Sequence, residues 1–152
     1  MAILWRDAMS VDGGLIDQDH QVLIAIINEF SAVPPDPGAD TELKRILSKL
    51  DSYTKTHFAR EEGLQKSIQY LYRDAHRHEH VDLIDQLTRV RAELAAVKEK
   101  KELIAAHTHM TDFLHHWLID HILQTDLRMK PFAAHLRKHA AQLGGLAQAV
   151  ET

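Results

Sequence analysis

Seven residues of the 152-residue chain stand at spacings suited to holding metal ions: His20, His57 with Glu61, His76 with His80, and His121 with Asp126. Imidazole is the commonest protein ligand for transition metals, and carboxylates suit the harder ones. Residues four apart on a helix share a face, about 5–6 Å apart at Cβ, so His57/Glu61 and His76/His80 can each reach one ion. All of these residues also fall on apolar stripes, where burying an unpaired polar group costs several kcal/mol. A bundle with individually satisfied core histidines is the bland alternative, and it accounts poorly for polar residues on four inward stripes. Five imidazoles and two carboxylates are too many for one tetrahedral zinc; they suit two octahedral-type ions bridged by the carboxylates.

The stripes imply helices. Apolar positions recur with a 3.6-residue period, and Pro and Gly cluster between the periodic stretches, at Gly13-Gly14, Pro34 to Gly38, Pro131 and Gly144-Gly145. A first helix is predicted at about 17–32, with Asp17 as its N-cap and His20, Leu23, Ile24 and Ile27 on one face. A second at about 41–66 is capped by Thr41 and carries Leu43, Ile46, Leu47, Leu50, Tyr53, Thr54, His57, Glu61 and Leu64. The third begins near Asp74 and aligns His76, His80, Leu83, Leu87, Val90 and Leu94. The fourth aligns Leu103, His107, Met110, Leu114, Trp117, Leu118, His121 and Ile122, with the intervening turn placed in 98–102. A shorter helix follows from about 132 to 143, in a C-terminal segment reaching about 150, with Phe132, Leu136, Ala140 and Leu143 inward. The expected fold is all-α: an antiparallel up-down-up-down four-helix bundle at about 17–126, with an N-terminal arm and an extra C-terminal helix, in one domain spanning 1–152.

His121 and Asp126 are five apart and diverge by about 140° on a regular α-helix. Both can face inward only if the helix widens, and a π-type turn between Leu118 and Asp126 is therefore predicted. The other histidines fit less well. His135 and His139 share a spacing, but His135 falls off its stripe. His78 points away from His76, and His116 flanks its stripe. His107 lies on a stripe three to four turns from His121, which suits a hydrogen-bonded core residue, and His109 and His115 read as surface.

Composition narrows the functional classes. There is no cysteine, so thiolate metal sites and Cys nucleophiles are excluded. The formal charge of −4 gives no electrostatic footprint for nucleic acid. No apolar run approaches the ~18 residues of a membrane span. The N-terminus lacks a basic region followed by an apolar core, so a cytoplasmic location is expected.

At these residues the chain resembles the hemerythrins, specifically the bacteriohemerythrins. The matching pieces are Ile16-Asp17-Gln-Asp-His20, His57-Phe58-Ala-Arg-Glu61-Glu62, His76 with His80, and Trp117-Leu118 followed by His121-Ile122 and Asp126, over roughly residues 5–132. Tyr70, six residues before His76, also fits. The resemblance implies a non-haem centre of two iron ions. His76, His80 and His121 would hold one and His20 and His57 the other, leaving one position open. Glu61 and Asp126 would bridge them, with an oxo or hydroxo group as third bridge. It further implies reversible binding of dioxygen rather than catalysis, in a pocket walled by Leu23, Phe58, Trp117 and Leu118.

The chain departs from the family in places. Leu71 stands where a proline is common, Met129 where an aromatic is usual, and about 20 residues follow Phe132, a helix available to cap the bundle, self-associate or dock a protein partner. Two other roles stay open at this point. One is a di-iron enzyme or a redox-, nitric-oxide- or peroxide-responsive protein on the same site; the other is a signalling module acting through a separate partner. The absence of any Glu-x-x-His pair argues against the carboxylate-rich di-iron oxidases and ferritins.

Overall fold

The computed structural model describes the backbone of residues 2–151 and the side chains of residues 2–142. Six α-helices carry the chain among these residues: α1 (Leu15–Ala32), α2 (Ala39–Ser67), α3 (Arg73–Ala95), α4 (Lys100–His116), the short α5 (Gln124–Leu127) and α6 (Ala133–Glu151). A π-helical segment, Trp117–Leu123, joins α4 to α5 into one rod. Helices α1 and α3 each pack between α2 and the α4 rod, which closes a four-helix ring.

The helix starts differ from the sequence expectation. Asp17 lies inside α1, and the exposed backbone donors of the first turn go to Asp12, whose carboxylate accepts the N–H groups of Gly14 (2.9 Å), Ile16 (3.1 Å) and Asp17 (3.1 Å). The Asp17 carboxylate instead turns back to the arm and accepts from the Val11 (2.7 Å) and Gly13 (3.0 Å) N–H groups. Gly13, at φ 64°, takes the left-handed conformation this crossing requires. Thr41 likewise lies inside α2, which starts after Gly38 at φ 90°. The turn between α3 and α4 falls at 96–99, earlier than expected, because the carbonyls of Ala92, Glu93 and Leu94 close α3 at Ala96.

Two apolar clusters hold the molecule. The larger runs along the bundle axis through Phe30, Leu43, Ile46, Leu47, Leu50, Leu87, Leu94 and Leu114; each such side chain stabilises by about 1.5–3 kcal/mol on full burial. The smaller consists of Val11, Ile16, Leu64, Tyr70, Met129 and Leu136, at the end where α6 crosses α2. There the Arg137 guanidinium donates to the Asp12 carbonyl (2.8 Å). The C-terminal helix thus caps one end of the bundle. Met129, fully buried, fills the position where an aromatic was expected, and its sulfur accepts the Gln65 amide (3.3 Å). Phe132 is exposed rather than inward, because the 3-10 turn Lys130–Phe132 leaves its ring edge-on over Tyr70. Leu143 lies outside the described side chains.

Candidate metal centre

Six polar side chains converge between the ring helices, next to the capped end. His20 comes from α1, His57 and Glu61 from α2, His76 and His80 from α3, and Asp126 from α5; all are buried. The i, i+4 pairs arise as their spacing requires, with both members on the inward face of a regular helix. Two groups form, His20/His57/Glu61/Asp126 and Glu61/His76/His80/Asp126, each with one donor atom per residue mutually within 4.8 Å. Glu61 and Asp126 belong to both.

Glu61 Oε2 lies 3.1 Å from His57 Nε2, while Oε1 faces His76 Nε2 and lies 3.3 Å from His80 Nε2. Asp126 Oδ2 lies 2.7 Å from His20 Nε2 and Oδ1 lies 3.0 Å from His76 Nε2. These atoms are close, yet the Nε2 atoms of His57, His76 and His80 and both oxygens of Glu61 lack a well-directed hydrogen bond within the protein. Buried polar atoms are otherwise almost always partnered. Three imidazole nitrogens and a carboxylate aimed past one another into a shared space are arranged for a third body, and their chemistry fits divalent transition metals.

The charges respond to this crowding. Burial alone would push His57 down, but Asp126, Asp19 and Glu61 outweigh it and hold its imidazolium well above the usual range. Burial opposes and Asp126 and Glu61 favour the charged form of His76, which is pushed up to about 10. Glu61, which burial would raise, is held well below the ordinary carboxylate value by His57, His76 and His80. The charged forms of His57 and His76 are thus favoured by the two carboxylates they face.

An outer layer fixes the rings. The His57 Nδ1–H donates to Asp19 (2.9 Å), which turns Nε2 toward Glu61. Asp19 also accepts the Tyr53 hydroxyl (2.8 Å) and a two-pronged contact from Arg60 (2.6 and 3.0 Å). Although burial opposes ionisation, His57, Arg60 and Tyr53 lower Asp19 to about 2. Asp19 and Arg60 were not apparent as site residues in the sequence, because Asp19 lies about 100° off the His20 stripe. On the other side, Phe58 stacks flat on the His80 ring, centroids 3.7 Å apart, and His80 Nδ1 faces Glu62 at 3.3 Å. Leu23, Phe58, Trp117 and Leu118 are all buried, and of these Phe58 packs on the rings of both His57 and His80.

The structure does not bring His121 into the cluster. Its side chain is exposed and lines a surface depression with Glu79, Asp82, Asp120, Thr125 and Arg128. The expected π winding is present, but its five-residue step runs from Trp117 and Leu118 to the buried Ile122 and Leu123. A regular four-residue step then leads from Ile122 to Asp126. The widening therefore reaches only the first residues of the His121–Asp126 interval, and Asp126 faces inward while His121 is left out. His107, as expected, is a satisfied core residue, donating from Nε2 to the Phe30 carbonyl (2.9 Å). His78, His109, His116 and His135 are exposed, and His115 and His139 are half-buried.

Comparison with known proteins agrees with this arrangement. Residues 14–133 match the hemerythrin HHE cation binding domain. A bacteriohemerythrin of Stenotrophomonas maltophilia (strain R551-3) is 26% identical over 148 residues, covering 93% of this chain and 87% of its own. A bacteriohemerythrin of Pseudomonas aeruginosa (strain LESB58) is 24% identical over 125 residues (82% and 76%), and a myohemerythrin of Theromyzon tessulatum 29% identical over 111 residues (72% and 87%). With the helical ring and the buried His/Glu/Asp cluster, these matches establish that the chain belongs to the hemerythrin family.

Proposed function

We propose that this protein holds two non-haem iron ions and binds dioxygen reversibly, as a carrier, store or sensor input. The observation that carries the reading is the pair of donor groups sharing Glu61 and Asp126: two carboxylates common to two sets of imidazoles suit two ions side by side. His20 and His57 would hold one ion and His76 and His80 the other, with both carboxylates bridging. We propose His121 as a further ligand beside His76 and His80, drawn in by a shift of the π winding along Trp117–Leu123. When bound, the metal pair supplies two electrons that can be lent to dioxygen and taken back.

The protein's own part is orientation and exclusion of water. Asp19 holds His57 in the tautomer that offers Nε2 inward. Leu23, Phe58, Leu83, Trp117 and Leu118, beside the donors, carry no titratable group, and the Trp117 indole N–H is already taken by the Leu83 carbonyl (3.1 Å). A pocket wall without a titratable group favours holding a ligand over converting it. No helix among the described residues is long and apolar enough to cross a membrane.

The test is the visible spectrum of iron-loaded, reduced protein carried through cycles of argon and air. The expected result is a colourless reduced form that colours in air and bleaches under argon. Irreversible conversion on first exposure to air would transfer the function to redox chemistry on the same site.

A further inference from the structure

Three residues before His57, one buried hydroxyl has no hydrogen-bond partner within the protein. It is the Oγ1 of Thr54, which is fully buried. A threonine inside a helix ordinarily returns its hydroxyl to the carbonyl four residues back. Thr56, Thr88 and Thr108 do so, to Ser52 (3.0 Å), Ile84 (3.0 Å) and Ile104 (3.2 Å). Thr54 does not.

Its position gives the free hydroxyl a direction. Thr54 lies seven residues before Glu61 and three before His57, which at 100° per residue puts it about 20° and 60° from them around α2. It therefore sits on the inward face, one turn beyond His57 and away from the capped end. Because the helices alternate in direction, that level also receives Leu23 (three after His20), Leu83 (three after His80), and Trp117 and Leu118 from the fourth rod. All four are buried, and the Trp117–Leu83 hydrogen bond ties two of them together. Thr54 brings the unspent polar group to this level.

We propose that the Thr54 hydroxyl is a ligand-contacting group, donating a hydrogen bond to the free end of a small ligand that enters the pocket beside the metal pair, either dioxygen or a short linear anion. The inference rests on the two-metal reading above and adds a specificity-determining residue to it. Among the apolar side chains at this level, a single donor favours ligands with a lone pair at the outer end over purely apolar gases. A hydrogen bond to a charged acceptor corresponds to about tenfold in affinity.

The test uses the full chain loaded with iron, oxidised, and titrated with azide while the visible spectrum and the iron content are followed. Thr54→Val keeps the shape and removes the hydroxyl; it is expected to bind azide about tenfold more weakly while retaining two irons per chain. Thr54→Ser is expected to restore affinity to within about twofold of the parent, which a purely steric effect would not do. Thr54→Ala repeats the loss through a second variant. In the metal-free form Thr54→Val is expected to raise the thermal midpoint, because it removes an unpaired buried hydroxyl; a lowered midpoint would overturn the premise. Equal azide affinity in parent and Thr54→Val, at two irons each, overturns the inference alone. A parent protein that takes no iron, or takes it without responding to azide, overturns the two-metal reading and the inference together.

Discussion

The two ends of this bundle bury histidine in opposite ways. In the half away from α6, His107 lies among Phe30, Leu103, Met110 and Leu114, stacks on the Phe30 ring and gives its Nε2–H to the Phe30 carbonyl. That ring is a packed, satisfied side chain. In the capped half, His57, His76 and His80 are as deeply buried, yet each leaves Nε2 without a directed partner, and Glu61 leaves both oxygens. Burial is the same and satisfaction differs. Since an unpaired buried polar group costs about 1–3 kcal/mol, the capped half carries a strain that the distal half does not, and this strain is relieved when something fills the shared space.

The largest expected effect separates the halves cleanly. Phe30→Ala should destabilise the fold by about 3–5 kcal/mol, while leaving the metal content of the folded fraction at its parental value. Glu61→Ala should do the reverse, abolishing most metal binding because one carboxylate serves both groups. Denaturant unfolding and metal analysis of the two variants check the crossover; equal loss of metal in both would erase the distinction.

A second effect is set by proton balance. His76 has a folded value of about 10 against an ordinary 6.5. A raised folded value contributes stability that is complete below the unfolded value and is lost as pH rises through the folded one. Metal-free protein should therefore lose stability between about pH 6.5 and 10, and metal affinity should rise over the same window as fewer protons need displacing. Thermal midpoints of metal-free protein across that range, with metal titrations alongside, measure both slopes. A smaller effect is expected from Asp19→Asn, which weakens the hold on His57 and should cost roughly 10–100-fold in metal affinity without lowering saturation stoichiometry. His135→Ala, at an exposed position outside both donor groups, should leave metal binding unchanged, whereas the proposed recruitment of His121 predicts a measurable loss for His121→Ala.

The legible and illegible parts of the centre divide along physical lines. His57/Glu61 and His76/His80 could be read because a regular helix converts a spacing of four into a shared face, and His20 because it interrupts an apolar stripe. His121 was placed inward on a correctly expected π turn, but the residue at which a helix widens is decided by packing of Trp117, Leu118, Ile122 and Leu123, which leaves no local mark in the sequence. Asp19 escaped for a related reason: its value comes from Arg60 and Tyr53 on another helix, and one-dimensional periodicity carries no information about such pairings. The same holds for Asp12 capping α1 in place of Asp17, and for α6, whose anchoring by Arg137 to the Asp12 carbonyl joins residues 125 apart.

The sharing of Glu61 and Asp126 between two donor groups is the feature on which the functional reading stands, and an anaerobic titration of the metal-free chain with ferrous iron tests it most directly. The expected result is saturation at two irons per chain, with His57→Ala reducing the count. Saturation at a single iron, unaffected by His57→Ala, would contradict the two-metal account.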